Sequence, residues 1–301
     1  MILFIDFLSS LLYNLNEFGE ISVIDIILDT LLDGLKLLPF LFVTFIIIEL
    51  IEHKLSDKNR DLISKSGKYG PVIGSMLGLI PQCGFSVMAT NLYITRIVSL
   101  GTLISIYLST SDEMLPILLS QNVDFALIIK ILSIKFFVGM TTGIIIDFIL
   151  RKTRKQKIKY ELCNEEHCHC EKGIILSSLI HTIKTLMFII LISFVINILF
   201  EFFGSEYLST IFLKDTVFAP FITSLIGLIP NCGASVAITQ LYLESAISFG
   251  SLISGLLTVS GVAVLVLFKS NKNIKENLNI LFVIYGVGVL TGIIIQLIEY
   301  L

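Results

Sequence analysis

Apolar positions along this chain fall into long runs, without the short alternations of soluble strands and helices. Eight blocks stand out, near 33–53, 71–95, 97–119 and 125–150, then near 174–203, 219–243, 246–268 and 279–301. Leu35 to Leu50 and Ile174 to Leu199 are nearly unbroken by charge, and roughly 20 such residues carry a helix across a bilayer. The pattern predicts an all-α, polytopic integral membrane protein. Met1 to Phe18 reads as a short amphipathic segment. It carries Asp6 and Glu17 but no basic start, so a cleavable signal peptide is not expected.

The blocks repeat. Pro71 to Val87 aligns, 149 residues on, with Pro220 to Val236, sharing Ile-Pro-x-Cys-Gly-x-Ser-Val. The register continues without a gap through Tyr93 and Tyr242, Gly101 and Gly250, and Ser105 and Ser254 to Thr142-Gly143 and Thr291-Gly292. The chain is an internal duplication, divided as a membrane repeat over 1–150, a linker over 151–172 and a second membrane repeat over 173–301.

Charge decides how often each block crosses, because cytoplasmic loops collect Lys and Arg. If every block crosses once, the basic residues divide almost evenly between the two faces. If 71–95 and 219–243 are hairpins that return to their starting face, 16 of the 21 Lys and Arg share one face, with only Lys214 opposite. The other four, Lys36, Lys130, Lys135 and Lys184, lie within blocks. Pro81 and Pro230 disrupt the interior of these two blocks. Each arm is then about eleven residues, roughly 16 Å at 1.5 Å per residue, or half the hydrocarbon thickness. Three full crossings plus one Pro-Cys-Gly hairpin is an odd count, so the halves enter from opposite faces. The expected fold is two inverted-topology repeats with about ten helical segments, their broken helices meeting near the midplane.

Composition agrees. The chain is 55% hydrophobic and 15% charged, with a mean hydropathy of +0.92, which excludes a single water-soluble core. A net charge of −3 argues against a nucleic-acid partner. The lipid bilayer is the expected surrounding, and a homo-oligomer is compatible with the sequence.

Candidate chemistry concentrates in three places. At the hairpin tips, Pro81, Gln82, Cys83, Gly84 and Ser86 face Pro230, Asn231, Cys232, Gly233 and Ser235 across the expected midplane. Two thiols suit thiophilic species, while amides and helix N-termini suit an oxyanion or a neutral hydroxylated metalloid. Buried thiols are equally ordinary as small apolar side chains. Asp112 and Glu113, expected inside a crossing helix, are candidate ion-coupling carboxylates. Lys130 and Lys135 on the next helix are their expected partners, in a structural ion pair or in a titrating arrangement. His181 and Lys184, three apart on one helix face, join them as coupling candidates, with Lys184 expected deep. In the linker, Cys163, His167, Cys168, His169 and Cys170 can supply a four-ligand shell for a metal ion, or can be part of a flexible polar connector. Gly139-x-x-x-Gly143 and Gly288-x-x-x-Gly292 read as helix-packing faces.

Taken together, the paired Gly-Leu-Ile-Pro-x-Cys-Gly-x-Ser-Val blocks, the Ser111-Asp-Glu-x-x-Pro116 stretch and His181-x-x-Lys184 resemble the ten-transmembrane heavy-metal exporters. These are grouped with arsenic-efflux permeases, and some are labelled manganese transporters. The resemblance runs from about residue 30 to the end and implies a transporter fold with ten segments when each hairpin counts as two. The expectation is a secondary transporter in the plasma membrane, with linker 151–172 cytoplasmic, that exports a heavy metal or metalloid and is coupled to protons. No cofactor is required, and no catalytic residue is assigned. A divalent cation such as manganese is the alternative cargo. A membrane thiol redox enzyme is the alternative of another class.

Overall fold

The structure, a computed structural model, describes residues 69–81, 83–95, 97–111, 113–151, 218–231 and 233–300, with parts of 30–46 and 175–194. Among these residues all regular structure is helical and there is no strand. The first repeat contains α1 (Gly70–Gly78), α2 (Cys83–Ile94), α3 (Leu100–Ser109), α4 (Met114–Ser120) and α5 (Phe125–Arg151). The second contains α6 (Ala219–Gly227), α7 (Gly233–Leu243), α8 (Phe249–Thr258), α9 (Ala263–Ser270) and α10 (Ile274–Tyr300).

The blocks carrying Pro81 and Pro230 are each two short helices. Pro71 and Pro220 sit in the first turns of α1 and α6, where a missing N–H costs no bond. The next blocks are broken as well, and this corrects the sequence reading. Glu113, expected inside a crossing helix with Asp112, is in a turn: helix ends at Ser109 and resumes only at Met114. Its counterpart breaks between Thr258 and Ala263, with Gly261 at φ 54°.

Packing gives the helices their directions. Gly70, Gly74 and Gly78 of α1 lie against Thr102, Ser105 and Ser109 of α3, so these two helices run parallel. The chain therefore reverses direction between Gly78 and Leu100. α5 runs antiparallel to both. A Cβ on Gly139 would lie 2.8 Å from the Ser105 carbonyl, and one on Gly143 2.5 Å from that of Gly101 and 2.9 Å from Pro71. The glycine faces read from the sequence are thus where backbones approach most closely.

The second repeat copies this arrangement. Ser254 Oγ donates to the Pro220 carbonyl at 2.7 Å and Thr258 Oγ1 to that of Ser224 at 2.9 Å, so α6 and α8 are parallel. Gly288 meets Thr258, and Gly292 meets Ser254 and Gly250, so α10 is antiparallel to α8.

Burial sorts the helices into an inner and an outer set. Residues 101–111 are all buried, and 89% of the α8–α9 window is buried, against 28% for α5 and α10. α5 and α10, with 27 residues each, reach about 40 Å and can cross the bilayer. Their uncovered faces carry Phe137, Phe148, Phe282 and Ile298. Three stretches are long and apolar enough to cross a membrane, Phe125–Leu150, Phe249–Ser270 and Ile274–Glu299. Between repeats, α2 packs on α9 and α7 on α4.

Candidate functional site

Each repeat places two helix C-termini and two helix N-termini close together. In the first, Gly78 lies beside Ser109, so α1 and α3 end at one level, and α2 and α4 start shortly beyond in sequence. Unpaired carbonyls at C-termini carry partial negative charge and unpaired amides at N-termini partial positive charge. Such ends survive at membrane depth only when protein or enclosed water satisfies them.

One hydroxyl does this at the end of α1, and others join the neighbouring helices to one another. Ser111, in the α3–α4 break, donates to the Leu79 carbonyl at 2.6 Å, tying the break to the end of α1. Ser86 and Thr110 share a hydrogen bond at 2.8 Å. Thr90 and Tyr107 share one at 2.5 Å, and the Tyr107 hydroxyl also donates to the Ala263 carbonyl of the second repeat at 3.4 Å. Ser86, Thr90, Tyr107, Thr110 and Ser111 are all buried.

The second tip is organised by Asn231, which is 7% exposed. Its Oδ1 accepts from the Gly233 amide at 3.1 Å and its carbonyl from the Ala234 amide at 3.3 Å, so it caps the start of α7. Gly84 and Ser235 are buried, Pro230 and Gly233 half-buried, and Pro81 is exposed. Gln82, Cys232 and the side chain of Cys83 lie outside the described residues. The neighbour found for Ser86 is the broken helix of its own repeat, and across the repeats α2 meets α9 while α7 meets α4.

The charged candidates are rearranged. Lys130, expected to pair with the acidic stretch, is exposed, with its ammonium 4.4 Å from the centroid of the Phe249 ring. Lys135 is buried and donates to the carbonyl of Leu256, in the last turn of α8. Glu113 is half-buried just before α4, and Asp112 lies outside the described residues.

His181 is buried and stacks on Phe45 with centroids 5.5 Å apart. Lys184 is exposed, which corrects the expectation that it lies deep beside His181. The two residues are only about 60° apart around the helix, so the edge of the covered face falls between them. Cys163, His167, Cys168, His169 and Cys170 lie outside the described residues. Among the described residues no three His, Cys, Asp or Glu side chains cluster for a metal ion.

Sequence reasoning passed over Thr90, Tyr107 and Thr110, and used Tyr93 and Ser111 only for register and resemblance. A signal was present: Ser86, Thr90 and Tyr93 stand at i, i+4 and i+7, a polar stripe on one side of an apolar helix.

No curated protein and no solved structure matches the chain. The family described as "Putative, 10TM heavy-metal exporter" matches residues 22–217 and 194–300. By that match over nearly its whole length, the chain belongs to this family of ten-transmembrane heavy-metal exporters.

Proposed function

We propose that the chain is a secondary transporter built from two inverted repeats, exporting a heavy metal or metalloid from a site between the interrupted helices. The observation that carries this reading is the reversal of chain direction in each repeat, between Gly78 and Leu100 and between Gly227 and Phe249. It is what a re-entrant hairpin requires, since a continuous rod would leave α1 antiparallel to α3. Inversion has separate support. Gly34 lies against Ile190 and Phe45 against His181, so the first helical blocks of the two repeats run antiparallel although they are equivalent in sequence.

Interrupted helices facing one another are how inverted-repeat transporters hold a solute near the midplane. Cys83 and Cys232, on equivalent tips, suit a thiophilic cargo such as arsenite. The oxygen-rich surroundings of the α3–α4 break (Ser86, Thr110, Ser111 and Glu113) favour a second reading, a hard divalent cation such as manganese. Asp112 and Glu113 supply the proton coupling, with Gln82, Asn231 and the tip glycines shaping the site. The chain lies in the plasma membrane with linker 151–172 in the cytoplasm, where its Cys and His residues capture metal before transport. Transport, without catalysis, is the proposed activity.

The test is uptake into proteoliposomes of arsenite, zinc, cadmium and manganese, with and without a pH gradient. Wild type is expected to move at least one of these faster with the gradient, and Asp112→Asn or Glu113→Gln to lose that acceleration. Cys83→Ser and Cys232→Ser are expected to slow arsenite but not manganese. Absence of flux for every species would defeat the proposal.

A further inference from the structure

The outer helix α10 and the antiparallel arm α6 leave a groove of about 430 Å³ between them, lined by Leu225, Leu228, Leu278, Leu281 and Phe282. Leu225, Leu278 and Phe282 are more than half exposed. The polar residues of the lining are Asn279 and Tyr285. At the deep end the Tyr285 hydroxyl donates to the Phe221 carbonyl at 3.4 Å, joining the two helices there.

The groove has the depth of one leaflet. With the 27 residues of α10 centred on the bilayer, Tyr285 lies about 3 Å from the midplane and Lys275 about 18 Å from it. Half of the hydrocarbon core is about 15 Å, so the groove runs from near the midplane to the headgroups, with Lys275 at its mouth. Direction around the helix agrees. At about 100° per residue, Lys275 falls between Phe282 and Asn279 on the face that lines the groove. Lys275 and Asn279 are both exposed. The neighbouring carboxylate, Glu276, is engaged elsewhere, accepting from the Tyr93 hydroxyl and from Asn273 Nδ2.

A carboxamide among lipid chains is costly unless it finds a partner. A cation in the first turn of a helix opposes the macrodipole, and an anion beside it removes that cost. We infer that the groove binds one anionic phospholipid, with its phosphate at Lys275, its ester carbonyls at Asn279 and an acyl chain along Leu225, Leu228 and Phe282. Anionic lipids concentrate in the cytoplasmic leaflet, the side to which the Lys- and Arg-rich loops assign this end of α10. The first repeat lacks the headgroup cation, since Lys275 corresponds to Ala126 at the offset of 149 residues. Leu228 stands two residues before Pro230, so the bound chain lies along the arm that leads to the second hairpin tip and braces it against α10.

The experiment uses full-length protein purified in detergent and titrated with dioleoyl phosphatidylglycerol or dioleoyl phosphatidylcholine, read by native mass spectrometry and by melting temperature. Wild type is expected to retain one phosphatidylglycerol in preference to phosphatidylcholine and to melt higher with it. Lys275→Gln should weaken phosphatidylglycerol binding by about fivefold, the effect of one basic residue at a membrane surface, and leave phosphatidylcholine as it was. Leu225→Trp fills the groove and should weaken both lipids. Lys130→Gln removes a charge beside Phe249, at the start of α8 and the opposite end of the molecule, and should change neither. Equal retention of the two lipids by wild type, an unchanged preference in Lys275→Gln, or the same loss in Lys130→Gln would each overturn the site. A dimer that Leu225→Trp dissociates while lipid retention stays the same would make the groove a contact between two copies of the chain, and would overturn it as well. Lys275→Gln alters only an exposed side chain, so it decides the matter even where Leu225→Trp impairs folding. No cargo enters the measurement, so its outcome is separate from that of the transport assay.

Discussion

Lys135 is a charge where charge is costly, buried on a membrane-crossing helix. Its ammonium donates to the Leu256 carbonyl, where the partial negative end of α8 favours a cation. The equivalent position in the second repeat is Ile284, so only one of the two inner helix ends is held this way. Lys135→Ile is expected to destabilise the purified protein by about 1–3 kcal/mol, read as a lower melting temperature in detergent; an unchanged value would rule out this capping role.

Asn231→Ala removes the acceptor of the Gly233 amide and should cost about 1 kcal/mol, whereas Asn231→Asp keeps that acceptor and should restore stability in the same assay. At this scale the sequence was informative about residue type and poor about surroundings. His181 and Lys184 were singled out as coupling candidates on an apolar helix, but spacing alone does not say which of two side chains at the margin of a packed face is covered.

Among the elements, punctuation by proline was readable and punctuation by hydroxyls was not. Pro81 and Pro230 mark their interruptions plainly. Ser109-Thr-Ser-Asp112 is averaged into a hydrophobic window and contains no glycine or proline. Its counterpart, Val259-Ser-Gly261, held the clue in a glycine that adopts positive φ. The starts of the inner helices, by contrast, follow ordinary rules. Ser99 accepts from the Thr102 amide at 3.1 Å and Ser248 from that of Ser251 at 3.2 Å, the expected N-caps.

Helix packing also yields a sharp contrast. A Cβ on Gly292 would lie 2.5 Å from Ser254 Cβ and 2.8 Å from the Gly250 carbonyl, while one on Gly286 meets nothing within 4 Å. Gly292→Ala should therefore destabilise by about 1–3 kcal/mol through overpacking. Gly286→Ala should be neutral or gain up to about 1 kcal/mol from helix propensity. Equal melting temperatures for the two variants would contradict the close approach of α8 and α10.

At the scale of the molecule, the duplication was fully legible, since a constant offset of 149 residues ties every helix of one repeat to one of the other. How the halves interlock was not, because sequence similarity within each repeat says nothing about partners outside it. The structure joins α2 to α9 and α4 to α7, so each short arm is covered by the other repeat.

The proposed inversion makes a direct prediction. Asn122, between α4 and α5, and Lys272, between α9 and α10, are both exposed and occupy equivalent connections one residue out of register. Asn122→Cys and Lys272→Cys should react with an impermeant thiol reagent from opposite faces of the membrane, against a background without native cysteines. Labelling of both from the same face would leave the repeats parallel and remove the basis for a midplane site.

The shortness of the inner helices bears on how the chain is made. α3 and α8, at ten residues each, reach about 15 Å, so each can cross only together with the short helix that follows it. A nascent chain that has released only its first half carries two arms, α2 and α4, whose covers are still being synthesised. N-terminal units usually complete themselves first during synthesis, but here the earlier half has to remain unfinished beside the translocon until the later one arrives. A chain cut between the halves is therefore expected to leave α2 and α4 uncovered, and faster proteolysis of that half than of the full chain would show it.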